Sequence, residues 1–142
     1  DVPRQLGILV RERAEAEVDF RFSILKDGRR LEKRIRRLRP VDVRCSIVLD
    51  GGINRPPLER TPAVVGLYEK AKAIAVSLGM ELGEGGTGGG SDGSFTAALG
   101  IPTLDGLGAD GDGAHAVREH VLVSDLPRRA ALLGLLAQEL SQ

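Results

Sequence analysis

A single cysteine in 142 residues excludes an internal disulfide framework and any cysteine-based zinc finger. Lysine and arginine number 20, as do aspartate and glutamate. No global field of one sign therefore argues for nucleic acid or an anionic membrane as a partner. No apolar run is long enough to span a bilayer, and no signal-peptide pattern opens the chain. The expectation is a soluble, cytoplasmic globular protein. The chain opens on Asp1 instead of methionine, so its natural N-terminus is expected further upstream. Enough remains for a core: 42% of residues are hydrophobic and 28% charged, the proportions of a folded chain. The length suits one ordinary domain or parts of two.

The balanced charge hides an asymmetry. Residues 1–60 carry 15 basic against 10 acidic side chains, and residues 61–142 carry 5 against 10. Of the 19 glycines, 12 fall between Gly83 and Gly113. Asn54-Arg55-Pro56-Pro57 and Thr61-Pro62 punctuate the change, which predicts a boundary there.

In the first segment, residues 12–22 alternate. Ala14, Ala16, Val18 and Phe20 share one face; Arg13, Glu15, Glu17, Asp19 and Arg21 share the other. Period two with one polar face predicts a half-buried strand of an antiparallel sheet. Asp27 is placed to cap a helix over residues 29–39, with Leu31, Ile35 and Leu38 on its apolar stripe and Pro40 beyond it. Val43, Cys45, Ile47 and Leu49 restore the alternation up to Gly51-Gly52, which places Cys45 on the packed face without a chemical role. The predicted helix carries Arg29, Arg30, Lys33, Arg34, Arg36, Arg37 and Arg39. No aromatic residues interleave with them, so the pattern reads as a solvated outer face and not a nucleic-acid surface. Two strands and one helix do not complete a core, and this segment needs more chain or a second copy.

In the second segment, Thr61 and Pro62 open a helix over residues 62–78 that stops at Gly79. Its stripe is Val64, Leu67, Tyr68, Ala71, Ile74, Ala75 and Leu78. A glycine-rich stretch follows, then a short helix over 94–99, a buried strand over 102–107, a loop over 108–113 leading to His115, and a short strand over 119–123. A final helix opens at Ser124-Asp125-Leu126-Pro127 and carries Leu132, Leu133, Leu136 and Leu140. Helices alternating with short strands predict an α/β class.

Several chemistries compete for the glycine stretch. A phosphate loop needs a lysine after its glycines, and Gly90-Ser91 has none. Gly88, Gly90 and Gly93 match the dinucleotide fingerprint, but so many glycines satisfy many patterns by chance. Gly89-Gly90-Ser91-Asp92-Gly93 also fits the nucleophile elbow, with Asp105 or Asp110 and then His115 in the serine–acid–histidine order. The bland alternative is a turn in which Ser91 or Asp92 caps the next helix.

One resemblance spans nearly the whole chain. Thr87-Gly88-Gly89-Gly90-Ser91-Asp92-Gly93, Phe95-Thr96-Ala97-Ala98-Leu99-Gly100-Ile101-Pro102-Thr103, Leu107-Gly108-Ala109 and Gly113-Ala114-His115-Ala116 with Glu119 resemble the C-terminal part of the M20 metallopeptidases. These include glutamate carboxypeptidase, aminoacylase and succinyl-diaminopimelate desuccinylase relatives. Gly51-Gly52-Ile53-Asn54-Arg55-Pro56-Pro57-Leu58-Glu59-Arg60 and Ala14-Glu15-Ala16-Glu17-Val18-Asp19-Phe20-Arg21 resemble segments just upstream in that family.

The resemblance implies the C-terminal part of a two-zinc α/β peptidase domain, preceded by half of an α+β lid or dimerisation domain. Residues 1–53 would be the partial lid and residues 54–142 the return to the catalytic domain. It implies a hydrolase of the amide bond of a small peptide or N-acyl amino acid bearing a free carboxylate, working as a homodimer through its lid. His115 matches the family's last metal ligand; His120 is a neighbouring alternative, expected on a strand facing solvent. The metal would be zinc, two ions in the complete enzyme, with cobalt or manganese as substitutes. Arg55 matches the arginine that clamps the substrate carboxylate, a bidentate task that suits a planar fork. Thr87, Gly88, Gly89, Gly90 and Ser91 match the loop lining the substrate pocket, where bare N–H groups can donate. No catalytic residue is expected in this chain. The family's first histidine, bridging aspartate, ligating carboxylates and general-base glutamate lie further upstream, and no His-x-Asp or Glu-Glu pair occurs here. Ile8-Leu9-Val10-Arg11 stands where relatives have an Asn-Val-Val-Pro-like segment, a departure at one lid contact to substrate. The chain alone is therefore expected to be inactive. The rival readings are a small serine hydrolase using Ser91 and His115, and a non-catalytic protein that self-associates through its unfinished sheet edge.

Overall fold

In the computed structural model, which describes residues 13–142, regular structure appears where the chain carries its own start and stop signals. Four helices form: α1 (Leu25–Ile35), α2 (Pro62–Ser77), α3 (Gly93–Ala98) and α4 (Leu126–Leu140). Between α3 and α4 a small antiparallel ladder pairs β1 (Gly111–Asp112) with β2 (His120–Val121), Gly111 opposite Val121 and Asp112 opposite His120. The result is a mixed helix-and-sheet chain of α/β class. The strand start expected at Glu12 and the departure at Ile8–Arg11 lie outside the described residues.

The helices follow their capping chemistry. Thr61 accepts the Val64 N–H through its side chain at 3.3 Å, and Pro62 holds the first helical position, where its missing N–H costs nothing. Gly79 ends α2 at φ +68°, a conformation that favours glycine. α1 begins four residues before the expected start, because its cap comes from elsewhere. The Glu59 carboxylate accepts the Leu25 N–H at 2.8 Å, across the predicted boundary. Asp27, expected at the cap, lies in the first turn, where its charge still complements the helix dipole. Gly28 is buried against Phe22; a Cβ there would come within 2.6 Å of the ring.

The core sits between α2 and α4. Ala71 and Ala75 on α2 and Leu132 and Leu136 on α4 are its buried apolar residues. Small residues on one helix let the leucines of the other approach closely. Lys70 and Glu139 close the rim at 3.0 Å, and the Tyr68 hydroxyl donates to the Leu82 carbonyl at 2.9 Å, tying the start of the glycine stretch to α2.

The two strands expected in the first segment do not form among the described residues. Residues 13–22 and 45–52 form no ladder, and residues 43–44 lie in a turn closed by the Cys45 N–H donating to the Asp42 carbonyl at 3.0 Å. Their alternation is genuine, but a ladder needs a partner that supplies donors and acceptors, and neither stretch finds one here. Val18 and Val43 are accordingly 69% and 94% exposed. Cys45 is exposed too, which corrects the expectation that it packs. The strand expected over 102–107 likewise forms no ladder, and Gly106 within it stands at φ +74°. The ladder forms instead in the expected loop, where β1 meets the tail that was expected as a strand.

The chain exposes 12198 Å², whereas a compact monomer of this mass would expose about 7,100 Å². Most of its apolar alternation is thus uncovered. No helix among the described residues is long and apolar enough to cross a membrane.

The α2–α4 seam makes a quantitative prediction. Leu132→Ala should destabilise the protein by about 2–5 kcal/mol, whereas Leu133→Ala, 46% exposed on the same helix, should change stability by about 0.5 kcal/mol or less. Urea unfolding of both variants checks this; equal losses would contradict the packing described.

Candidate functional site

After α2, the chain enters a stretch with too many glycines for a helix and no partner for a strand. Two arginines hold it. Arg55 lies against Gly90, where a Cβ would come within 3.0 Å of Nη1 and 3.2 Å of Cδ; the bare backbone is what permits the approach. The same guanidinium stands 5.2 Å from the centroid of the Phe95 ring and pairs with Asp92 through Nη1 at 3.2 Å. That pair engages one arm of the fork with a carboxylate that is itself 94% exposed, so an incoming anion can compete with it. Arg21, from the extended first segment, donates to the Gly88 carbonyl at 2.8 Å. Asp19 in turn steadies Arg21, with Oδ2 at 3.3 Å from both Nε and Nη2.

The loop is braced at both ends. Before it, Arg60 grips Glu84 through two contacts of 2.7 and 3.1 Å, which hold the Glu84 carboxyl below its usual range. Within it, the Gly89 N–H donates to Thr87 Oγ1 at 3.2 Å. After it, Ser91 Oγ accepts the Gly93 N–H at 3.0 Å, and Thr103 lies so close to Gly93 that a Cβ would meet its methyl at 2.9 Å. Asp105 completes this end. The Ser91 hydroxyl, and secondly the Gly106 N–H, hold the Asp105 carboxyl below its ordinary 3.8.

His115 occupies a separate device. It lies in the connection between β1 and β2 and is exposed, with φ +65°, the left-handed conformation. Among the described residues it is the sole non-glycine there. Histidine, like asparagine and aspartate, enters that region more readily than other side chains. The surroundings are tight: a Cβ on Gly111 would overlap the His120 carbonyl oxygen, and one on Gly113, at φ +78°, would come within 3.0 Å of Arg118. Ala116 N–H donates to the Gly113 carbonyl at 2.8 Å and Glu119 N–H to the Ala116 carbonyl at 2.9 Å. His120 lies exposed on β2 with Nδ1 3.0 Å from the Arg118 carbonyl, whereas no hydrogen bond ties the His115 ring to a described residue.

The structure therefore brings Arg55 against Gly90, Asp92 and Phe95, while Gly88 meets Arg21 and Gly89 meets Thr87. His115 stands apart from them. Nothing joins Ser91 to His115 by a hydrogen bond among the described residues, and Ser91 lacks the positive φ that would mark a strained elbow. Its hydroxyl serves the Gly93 N–H and Asp105, so the serine-hydrolase reading gains no support. Among the described residues no group of three or more His, Cys, Asp or Glu is placed to hold a metal. Arg21 was missed in the sequence. It belongs to the polar face of an alternating segment and meets the loop from 67 residues away, a separation that no local pattern announces.

The model of peptidase family M20/M25/M40 matches residues 7–139. Carboxypeptidase G2 of Pseudomonas sp. (strain RS-16) is 31% identical over 133 residues, an alignment covering 89% of this chain and 32% of that protein. The chain thus spans about a third of the length of this curated relative. No solved structure matches it.

The Ser91–Asp105 contact is testable by pH. A depressed carboxylate pKa contributes stability above the unfolded value of 3.8 that is lost as pH falls through the folded value. Ser91→Ala should return the Asp105 titration toward 3.8 in carboxyl carbon NMR and remove that acid-side contribution. An unchanged titration would show that the hydroxyl is not the cause.

Proposed function

The chain belongs to peptidase family M20/M25/M40, and on that premise we propose that it forms the C-terminal part of a zinc-dependent hydrolase cleaving an amide bond of a carboxylate-bearing substrate. The substrate class is a small peptide or an N-acyl amino acid, making the parent a carboxypeptidase or an N-acyl-amino-acid hydrolase. Residues 1–53 are the closing half of a lid domain through which two copies associate, and residues 54–142 are the return to the catalytic domain. The observation that carries this reading is the seat of Arg55: a half-exposed guanidinium laid on the bare backbone of Gly90, in a loop where the Gly89 N–H alone is seen to donate to a loop side chain, Thr87. Similarity to a relative named as a carboxypeptidase supports the same substrate chemistry.

In this reading Arg55 receives the substrate carboxylate. Asp92, paired with Arg55 at 3.2 Å, holds the fork until an anion replaces it, and Phe95 keeps its plane. The loop of Thr87, Gly88, Gly89, Gly90 and Ser91 lines the pocket and offers N–H donors to the oxygen of the scissile carbonyl. Glycine at these positions keeps the backbone within reach of the substrate. His115 supplies one metal ligand. Its exposed ring is committed to no other described partner, and a neutral imidazole nitrogen suits zinc. The remaining ligands and the general base belong to the upstream part of the polypeptide. Bound zinc would lower the pKa of its water to about 7 and polarise the amide carbonyl.

Arg55→Lys in the full-length protein tests the clamp. Lysine keeps the charge but loses the fork. KM for a carboxylate-bearing substrate should rise about tenfold or more, with a smaller change in kcat. An unchanged KM would remove Arg55 from the binding site.

A further inference from the structure

The second turn of α4 holds a charge that the proposed function does not use. The Arg129 side chain is only 16% exposed. Its Nε and Nη1 have no hydrogen-bond partner among the described residues. Buried guanidinium donors without acceptors are rare, because the hydration they lose is not replaced. Something in the structure must therefore hold Arg129 where it is.

The carboxylate within ion-pair range is Asp110, with Oδ2 3.6 Å from Nη2. Asp110 begins the hairpin that carries His115. Its Oδ1 accepts the Gly111 N–H at 2.9 Å, and its carbonyl accepts the Leu122 N–H at 2.7 Å, so one residue fastens both ends of the β1–β2 unit. Arg129 reaches this residue from the helix that forms the core seam. The hairpin is otherwise held by glycines that admit no side chain and by a His115 backbone at φ +65°.

We propose that Arg129 is a positioning residue that anchors the His115 hairpin to α4 through Asp110. The buried cation draws Asp110 down onto the helix, and Asp110 fixes the entry and exit of the turn. The His115 backbone is thereby held in one place, and its exposed imidazole projects from a fixed point. This rests on the reading of His115 as a metal ligand. It adds that the ligand's position is set by an ion pair outside its own loop.

The test measures zinc affinity of the full-length protein by chelator competition, with thermal midpoints recorded alongside. The variants are His115→Ala, Asp110→Asn and Arg129→Met. Lys70→Ala serves as a control that breaks a surface pair on the same helix seam. Asp110→Asn and Arg129→Met should each weaken zinc binding by about tenfold to a hundredfold, and the double variant should be no weaker than the worse single one. Lys70→Ala should leave zinc affinity unchanged. If Arg129→Met fails to fold, Asp110→Asn alone decides. If His115→Ala weakens zinc binding but Asp110→Asn and Arg129→Met do not, the anchoring role is overturned and the ligand reading survives. If His115→Ala has no effect, the ligand reading falls and the inference with it.

Discussion

The described structure hangs from the seam between α2 and α4. Ala71 and Ala75 leave room on one helix for Leu132 and Leu136 of the other, and this small patch is the buried apolar core of the described residues. The glycine loop leaves from the C-terminal end of α2 and the His115 hairpin runs into the N-terminal end of α4. Fixing two helices side by side therefore fixes where both begin. The seam brings together residues more than sixty positions apart, so its closure orders a long stretch of intervening chain.

Charge does the finer placement. Glu59 caps α1 from beyond the composition boundary, Arg21 reaches back across it to Gly88, and Arg60 clamps Glu84. The two arginine contacts are exposed and individually worth little. Their effect is geometric: both act on the stretch from Glu84 to Gly88. A side chain at Gly90 would crowd Arg55, which would have to give by a few tenths of an ångström. A conformationally permissive stretch is thus given one shape by partners outside it.

How far the sequence foretold this depends on whether an element carries its own signals. α2 was legible because Thr61, Pro62 and Gly79 mark its ends and Val64 through Leu78 mark its face; α3 and α4 were legible for similar reasons. The alternating segments around Val18 and Val43 were misread as completed strands, because alternation reports which face is apolar and says nothing of whether a partner is present. α1 started early because its cap was a carboxylate in another segment. For the site, a family motif pointed to Arg55 and the glycine loop, and Arg55 lies against one of its glycines, Gly90. Arg21 and Arg129 were not, since each acts on a residue that only tertiary folding brings near.

In the proposed reading, the residues that cover the alternating faces, and the groups that complete a metal site with His115, lie in a longer polypeptide. The intact mass of the native protein carrying Thr87-Gly88-Gly89-Gly90-Ser91-Asp92-Gly93 tests this most directly. A mass well over twice the 15.1 kDa of this chain is the predicted result. A native mass of 15.1 kDa would mean that no upstream half supplies ligands or a general base, and would contradict the hydrolase account.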